Sequence, residues 1–121
     1  MSSNDKYLAV FLGSNQSPRW KVWQAMSGDE RRATEQKGIA AWGAWVQKYK
    51  DAIVYDGGPL GKTKRTSQEG VKDVTNEMSA FVVVRASSHE AAAKMFEGHP
   101  HFAIFPGEAV EVMPLLPIPG P

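Results

Sequence analysis

Two histidines near the carboxyl end of the chain, His99 and His101, are the first candidates for chemistry. An unperturbed imidazole has a pKa of about 6.5 and therefore exchanges protons close to neutral pH. Because residues two apart on an extended segment point to the same side, we expect both rings to lie near Asp56 if the second strand ends beside this loop. We predict His99 as a general base, Asp56 as the carboxylate that orients it, and His101 as a third catalytic residue.

The same three residues have structural interpretations as well. His99, His101 and a carboxylate would form a catalytic zinc site with one open position, but the sequence fixes no third protein ligand and we predict no metal. The histidines would otherwise brace a loop that follows a helix. Asp56 precedes residues 57–59, Gly-Gly-Pro, and an Asp at such a place commonly forms a turn because its side chain bonds to backbone two residues on. Catalytic and structural roles are therefore both open at these positions.

The aromatic residues supply candidates for contact with a ligand. The chain has four Trp, whose large apolar side chains require a core, an interface or a pocket. Trp42 and Trp45 lie three residues apart, which puts them on one face of a helix. We predict Trp42 as a core residue, and Trp45 and Tyr55 as substrate-binding residues.

Composition excludes several classes of protein. Fourteen Lys and Arg balance thirteen Asp and Glu, so the basic surface that nucleic-acid binding requires is absent. Apolar runs such as residues 81–84 are too short to span a membrane, and residues 1–7 lack the pattern of a secretory leader. With no Cys, disulfides and thiolate chemistry are excluded. We expect one cytoplasmic domain over residues 1–121, with no nucleic-acid or membrane partner.

The first half of the chain predicts a strand, a helix and a bent strand. Residues 7–12 are β-prone and end at a turn cluster. Ser27 and Glu30 have the spacing of a capping box, which predicts a helix from there to about residue 50, preceded by a short helix over 19–26. Its apolar stripe consists of Ile39, Trp42, Val46 and Tyr49. A second strand begins at residue 53 and is bent by residues 57–59, as expected of an edge strand.

The second half repeats this pattern. Residues 62–76 are polar and predict a hairpin connection, and residues 78–86 form the strongest strand, with apolar residues on both faces. Ser87 and Glu90 predict the start of a second helix, and Gly98 stands where a helix C-terminus commonly has glycine. Residues 99–101 are predicted as an extended exit loop, 110–113 as the last strand, and 114–121 as a proline-rich tail.

This order, βαββαβ, predicts an α+β fold. Right-handed crossovers place two such units in a ferredoxin-like sandwich, an antiparallel sheet with both helices on one face. Two helices cover only one face, so the apolar side chains of residues 81–84 require a partner on the other. A homodimer that packs sheet to sheet and buries roughly 1,600 Å² would supply it. We therefore predict a dimeric α/β barrel.

Several short motifs together resemble the YCII-related family of the dimeric α/β-barrel superfamily. They span about 100 residues by the element count above and comprise residues 6–8, 42–45, 56–60, 87–92, 98–101 and 110–114. The resemblance implies a homodimer with a small-molecule cleft between sheet and helices. Some members have a His and Asp pair proposed as a catalytic dyad, and one relative removes chloride from a hydroxylated aromatic ring. The first long helix here contains no His.

The resemblance leaves the reaction open, because its superfamily includes cofactor-free monooxygenases, isomerases and haem-binding enzymes. We predict a cofactor-free enzyme that acts on a small molecule by acid/base chemistry. The alternative is a non-catalytic ligand-binding or assembly module. Haem binding is a third possibility, and its test is a Soret band on addition of haem.

Overall fold

A computed structural model describes residues 5–120 of the chain. Residues 1–4 and 121, which belong to the predicted domain 1–121, to the segment tested for a leader and to the predicted tail 114–121, lie outside the described residues. The elements in chain order are β1 Asp5–Leu12, α1 Pro18–Ala25, α2 Gly28–Lys48, β2 Ile53–Pro59, β3 Thr63–Ser67, β4 Gly70–Val74, β5 Met78–Ala86, α3 His89–Lys94, α4 Pro100–Ala103 and β6 Ala109–Pro114.

Four strands form one antiparallel sheet in the order β2-β5-β1-β6, and β3 and β4 form a separate two-stranded hairpin. Without the hairpin, the order of the sheet strands is that of a ferredoxin-like fold. The predicted α+β class and antiparallel sheet are confirmed, and the polar hairpin connection is a regular pair of strands. No helix among residues 5–120 is both long and apolar enough to cross a membrane.

The long helix α2 begins at the predicted capping box. The Ser27 hydroxyl accepts from the Glu30 backbone N–H, while the Glu30 carboxylate accepts from the Ser27 backbone N–H. The bond from the Ser27 backbone N–H to the ionised carboxylate, assisted by the Ser27 side chain, holds the pKa of Glu30 below its usual value of 4.5. The predicted stripe is displaced, however, because Trp45 is buried whereas Ile39 is 66% exposed. Ile39 lies at the mouth of a cavity rather than in the core.

The edge strand β2 is irregular, as its glycines predicted. Ile53 pairs with Val84 but Tyr55 pairs with Val83, so two steps along β2 match one step along β5. Such a bulge moves the next side chain to the opposite face of the sheet. Gly57 has φ +64°, and a Cβ there would come within 2.0 Å of the Phe81 carbonyl oxygen, so this position requires glycine.

Two local predictions in the last third of the chain were wrong. The cap of α3 is Ser88, whose hydroxyl accepts from the Ala91 backbone N–H, and not Ser87. Residues 99–101 are not extended but form the start of α4, capped by His99. Pro100 at the first helical position favours this turn because its φ is already helical.

One face of the sheet carries the hydrophobic core. Buried side chains from β1 and β5 pack there against α2 and the α3 region, with Tyr7, Ala9, Phe11, Val82, Val84, Trp45, Met95 and Phe96 as principal members. The register places Leu8 opposite Val83 and Met113, and Val10 opposite Phe81, on the other face. The helix residues of the core cluster lie on the first face. The second face, which we call the uncovered sheet face, carries no part of that cluster; its Leu8, Phe81 and Val83 are half-buried, and Val10 is 8% exposed.

Candidate functional site

His99 is the most enclosed polar side chain of the core. It is 1% exposed, and its Nδ1 accepts a hydrogen bond of 3.0 Å from the backbone N–H of His101. Because Nδ1 supplies the lone pair of this bond, Nε2 carries the proton of the neutral ring. Nε2 has no hydrogen-bond partner among the described residues. Burial of an N–H group without a hydrogen-bond partner lowers folding stability by about 1–3 kcal/mol. The packing of the aromatic rings around His99 has to offset this loss.

Four aromatic rings surround the His99 imidazole. Trp42 lies with ring centroids 4.5 Å apart and planes at 88°, and Trp45 at 5.0 Å and 69°. Phe11 and Phe96 complete the shell at 5.1 and 5.9 Å. Burial, assisted by the nearby His101, lowers the pKa of His99 from 6.5 to about 4. His99 is therefore neutral near pH 7 and is a weak base.

His101 lies beside it in a different polar setting. Its Nε2 donates to the Leu12 carbonyl oxygen at 2.7 Å, which fixes the proton on Nε2. Burial lowers the pKa of this ring as well, and the positive charge of Arg19 adds to the effect, while the bond to Leu12 and the charge of Glu108 act in the opposite direction. The two histidines are therefore joined by the bond from the His101 backbone N–H to His99 Nδ1, and their two rings do not hydrogen-bond to each other.

An apolar cavity, which we call the main cavity, lies between α2 and the sheet. Its volume is about 720 Å³, within the range of small-molecule sites. Its walls include Phe11, Ile39, Trp42, Gly43, Trp45, Val46, Ile53, Asp56, Gly58, Pro59, Ala80, Phe81, Val82 and Phe105. Asp56 is the one ionisable residue among these lining residues, and it is exposed at the rim. The cavity therefore offers an apolar, aromatic interior and one negative charge at its edge.

The structure separates the predicted general base from its carboxylate. Asp56 lines this main cavity, whereas His99 does not and lies behind Trp42 and Trp45. No hydrogen bond joins His99 and Asp56 among the described residues. The expectation that both rings point to one side of an extended segment fails because α4 replaces that segment.

The two tryptophans of α2 have partly exchanged the roles predicted for them. Trp45 lines the cavity but is only 9% exposed, and its indole N–H donates to the Met95 carbonyl oxygen at 2.7 Å. Trp42 is half-buried and also lines the cavity. Tyr55 is 61% exposed and does not line it, because the β2 bulge places its ring near Phe81, at 5.8 Å, on the other face.

Two residues of the cavity wall had no signal of their own in the sequence. Phe105 closes one end of the cavity and packs against Gly38, where a Cβ would approach its ring within 2.5 Å. Gly43 lines the cavity, and a Cβ there would meet nothing within 4 Å. Of these two helix positions, Gly38 and Gly43, only Gly38 lies close to another part of the chain.

The described residues contain no cluster of three or more His, Cys, Asp or Glu able to hold a metal ion. The carboxylate that a zinc site with His99 and His101 would require is not grouped with them in residues 5–120. The polar chemistry of the main cavity therefore rests on Asp56.

Comparison with known proteins informs the fold of the chain. No family model matches the chain, and no curated protein matches it by sequence. A solved structure is similar with a TM-score of 0.51 and 18% identity, over 88% of this chain and 89% of the other. It is 5-chloro-2-hydroxyhydroquinone dehydrochlorinase (TftG) from Burkholderia phenoliruptrix AC1100, in complex with 2,5-dihydroxybenzoquinone. The likeness supports the ferredoxin-like fold.

Proposed function

We propose that this protein binds a hydroxylated aromatic small molecule in the main cavity and acts on it by acid/base chemistry without an organic cofactor. The observation that carries the proposal is the cavity of about 720 Å³ with aromatic walls and the Asp56 carboxylate at its rim. An apolar interior with few polar groups is typical of sites that orient a small ligand.

The aromatic walls favour a planar ring as ligand. Phe11, Trp42 and Phe105 lie on different elements yet line the same cavity. Aromatic rings contribute about 0.5–1.5 kcal/mol per pair beyond the burial of their area when they stack or meet edge to face. A flat, apolar ligand of one or two rings gains from several such contacts at once.

Asp56 favours a ligand that carries a hydrogen-bond donor. An ionised carboxylate only accepts, so the matching group on the ring is a hydroxyl or an amine. In a turnover, the Asp56 carboxylate takes the hydroxyl proton and becomes the neutral acid, while the ring oxygen becomes the oxyanion. Since simple phenols have a pKa of about 10, the ring best suited to this step carries electron-withdrawing substituents.

The fold neighbour supports the same class of ligand. Its bound molecule, 2,5-dihydroxybenzoquinone, is a ring with two hydroxyls. In our proposal His99 does not take the substrate proton. It holds Trp42 and Trp45 from behind and keeps the aromatic wall in place, and His101 fixes the α4 turn through its backbone bond to His99.

A second candidate function is binding without turnover. It is favoured by the single polar group of the cavity, because general acid/base reactions commonly use a second residue to protonate the product. The test is incubation with hydroxylated and halogenated benzenes, without added cofactor, followed by chromatography. Consumption by the wild type that is lost in Asp56→Asn supports the enzyme. Saturable binding without consumption supports the binding module, and neither binding nor consumption contradicts both.

We also propose that the protein is a homodimer related to the YCII-related family. The uncovered sheet face presents Leu8, Val83 and Met113, and Tyr55 stands 61% exposed beside them. We infer that this face packs against the same face of a second copy, which gives a dimeric α/β barrel. The motif resemblance to the YCII-related family, whose members have this assembly, supports that inference.

A further inference from the structure

A second cavity lies at the end of the sheet where β1 stops and β5 begins. Its volume is about 750 Å³. It is bounded by the loop after β1, by residues 75–77 and 79, and by the segment around Gly107. Phe105 is the one lining residue that it shares with the main cavity, and Asp56 does not line it. The two cavities therefore have different polar chemistry.

His101 lines this second cavity and has one hydrogen-bond acceptor that no described residue uses. The residue is 9% exposed and lines the wall. Its Nε2–H is engaged by the Leu12 carbonyl oxygen at 2.7 Å, so Nδ1 of the neutral ring holds a lone pair. No described residue donates a hydrogen bond to that nitrogen, and it is not among the fully enclosed atoms. A ligand donor is the partner that this atom lacks.

The neutral polar side chains of the cavity are mostly engaged within the protein. The Ser79 hydroxyl donates to the Phe11 carbonyl oxygen. The Asn76 side chain accepts from the Met78 backbone N–H and donates to Thr63. Because these side chains are already hydrogen-bonded within the protein, they are weak partners for a ligand. The ionisable residues of the wall therefore determine which ligand charge the cavity favours.

Glu77 supplies a negative charge, and no Lys or Arg is among the lining residues. Arg19 lies near His101 but outside the wall, and its guanidinium donates to the Phe102 carbonyl oxygen. Trp20 also lines the cavity and is half-buried. An indole ring attracts cations by about 0.5–2 kcal/mol, so charge and aromatic surface favour the same ligand.

We propose that this second cavity binds a small organic cation, an ammonium group that donates to His101 Nδ1 and Glu77 and packs its apolar part against Trp20. The proposal is independent of the function proposed for the main cavity. It assigns His101 a binding role at a site where Asp56 takes no part.

The experiment titrates the full-length protein with benzylamine at pH 7, where the amine is protonated, and follows backbone and indole N–H shifts by NMR. Benzyl alcohol and benzoate serve as the neutral and anionic probes of similar shape. We expect benzylamine to shift the Trp20 indole and Gly107 amide signals in a saturable way, and the other two probes to bind at least about tenfold more weakly, as the loss of a charge-assisted hydrogen bond implies.

Two substitutions separate the contributions of the wall. Glu77→Gln removes the charge, and His101→Gln keeps a donor near Nε2 for Leu12 while removing the Nδ1 lone pair. Each should weaken benzylamine binding about five- to tenfold, whereas Glu97→Gln, an exposed carboxylate outside the cavity, should leave it unchanged. Equal effects of Glu77→Gln and Glu97→Gln, or loss of binding in Asp56→Asn instead, would overturn the proposal.

Discussion

The imidazole of His99 and the indole of Trp42 meet at right angles, with centroids 4.5 Å apart and planes at 88°. The contact joins the α4 cap to the helix wall of the main cavity, because His99 also accepts the backbone N–H of His101. The His99 side chain therefore both caps α4 and packs against the aromatic wall of the main cavity.

Two substitutions of His99 distinguish its contribution as the cap of α4 from its contribution to core packing. His99→Ala removes the acceptor of the α4 cap and leaves a cavity among four rings, so we expect a loss of about 3 kcal/mol in the free energy of unfolding. His99→Asn retains an oxygen acceptor at the cap and should lose clearly less. Urea denaturation at pH 7 measures both. A loss below about 0.5 kcal/mol for His99→Ala would show that the enclosed ring contributes little.

Acid should destabilise the protein through the same residue. The pKa of His99 is lowered from 6.5 to about 4 in the folded state, chiefly by burial, so between these values the unfolded chain binds more protons and stability falls as pH falls. From pH 7 to pH 5, His99 alone accounts for about 2 kcal/mol, and the lowered pKa of His101 acts in the same direction. His99→Asn should flatten the dependence, and an unchanged slope would contradict the buried neutral ring.

The two interior glycines of α2, Gly38 and Gly43, give a matched pair of substitutions. Gly43→Ala places its methyl group in open space and should stabilise the helix by up to about 1 kcal/mol. Gly38→Ala gains the same propensity, but its Cβ would lie 2.5 Å from the Phe105 ring, so the ring has to move and the gain is lost or reversed. Thermal unfolding should rank Gly43→Ala above Gly38→Ala. The reverse order would mean that Phe105 does not pack on the helix as described.

Assembly through the uncovered sheet face has its own test. Tyr55→Glu adds a charge to that face at a position already 61% exposed, so the folded monomer should tolerate it. We expect light scattering to give a dimer for the wild type and a monomer for the variant. Val71→Glu, on the separate hairpin and 63% exposed, is the control. A monomeric wild type, or a variant that stays dimeric, would contradict sheet-to-sheet packing.

The hydrophobic pattern and the helix-capping residues of the sequence predicted the fold because each of these signals depends on residues that are close together in the chain. The capping box at Ser27, the apolar strand 78–86 and the glycine-bent edge strand each depend on near neighbours in sequence. Gly98 was also placed correctly after the second helical region and has φ +67°. The strand order then follows from short connections and right-handed crossovers.

The site was less predictable because it depends on register and on a single turn. A bulge between Ile53 and Tyr55 reversed the face of Tyr55, and alternation alone cannot show that. The sequence predicts an extended loop at Pro100, although proline also favours the first turn of a helix. That turn carried His99 into the core. The sequence left Asp56 open as a turn former, whereas the structure places it within β2, and its place at the rim of the cavity emerged only from the packing of α2.

The most direct test of the central claim is calorimetric titration of 4-nitrocatechol, a hydroxylated ring with an electron-withdrawing group, into the wild type and two helix variants. Gly43→Leu fills the main cavity from a position with nothing within 4 Å, while Ala44→Leu adds the same side chain on the exposed side of α2. We predict saturable binding to the wild type and to Ala44→Leu, and at least about tenfold weaker binding to Gly43→Leu, a loss of about 1.4 kcal/mol. Equal affinity for all three proteins would contradict a ligand site between α2 and the sheet.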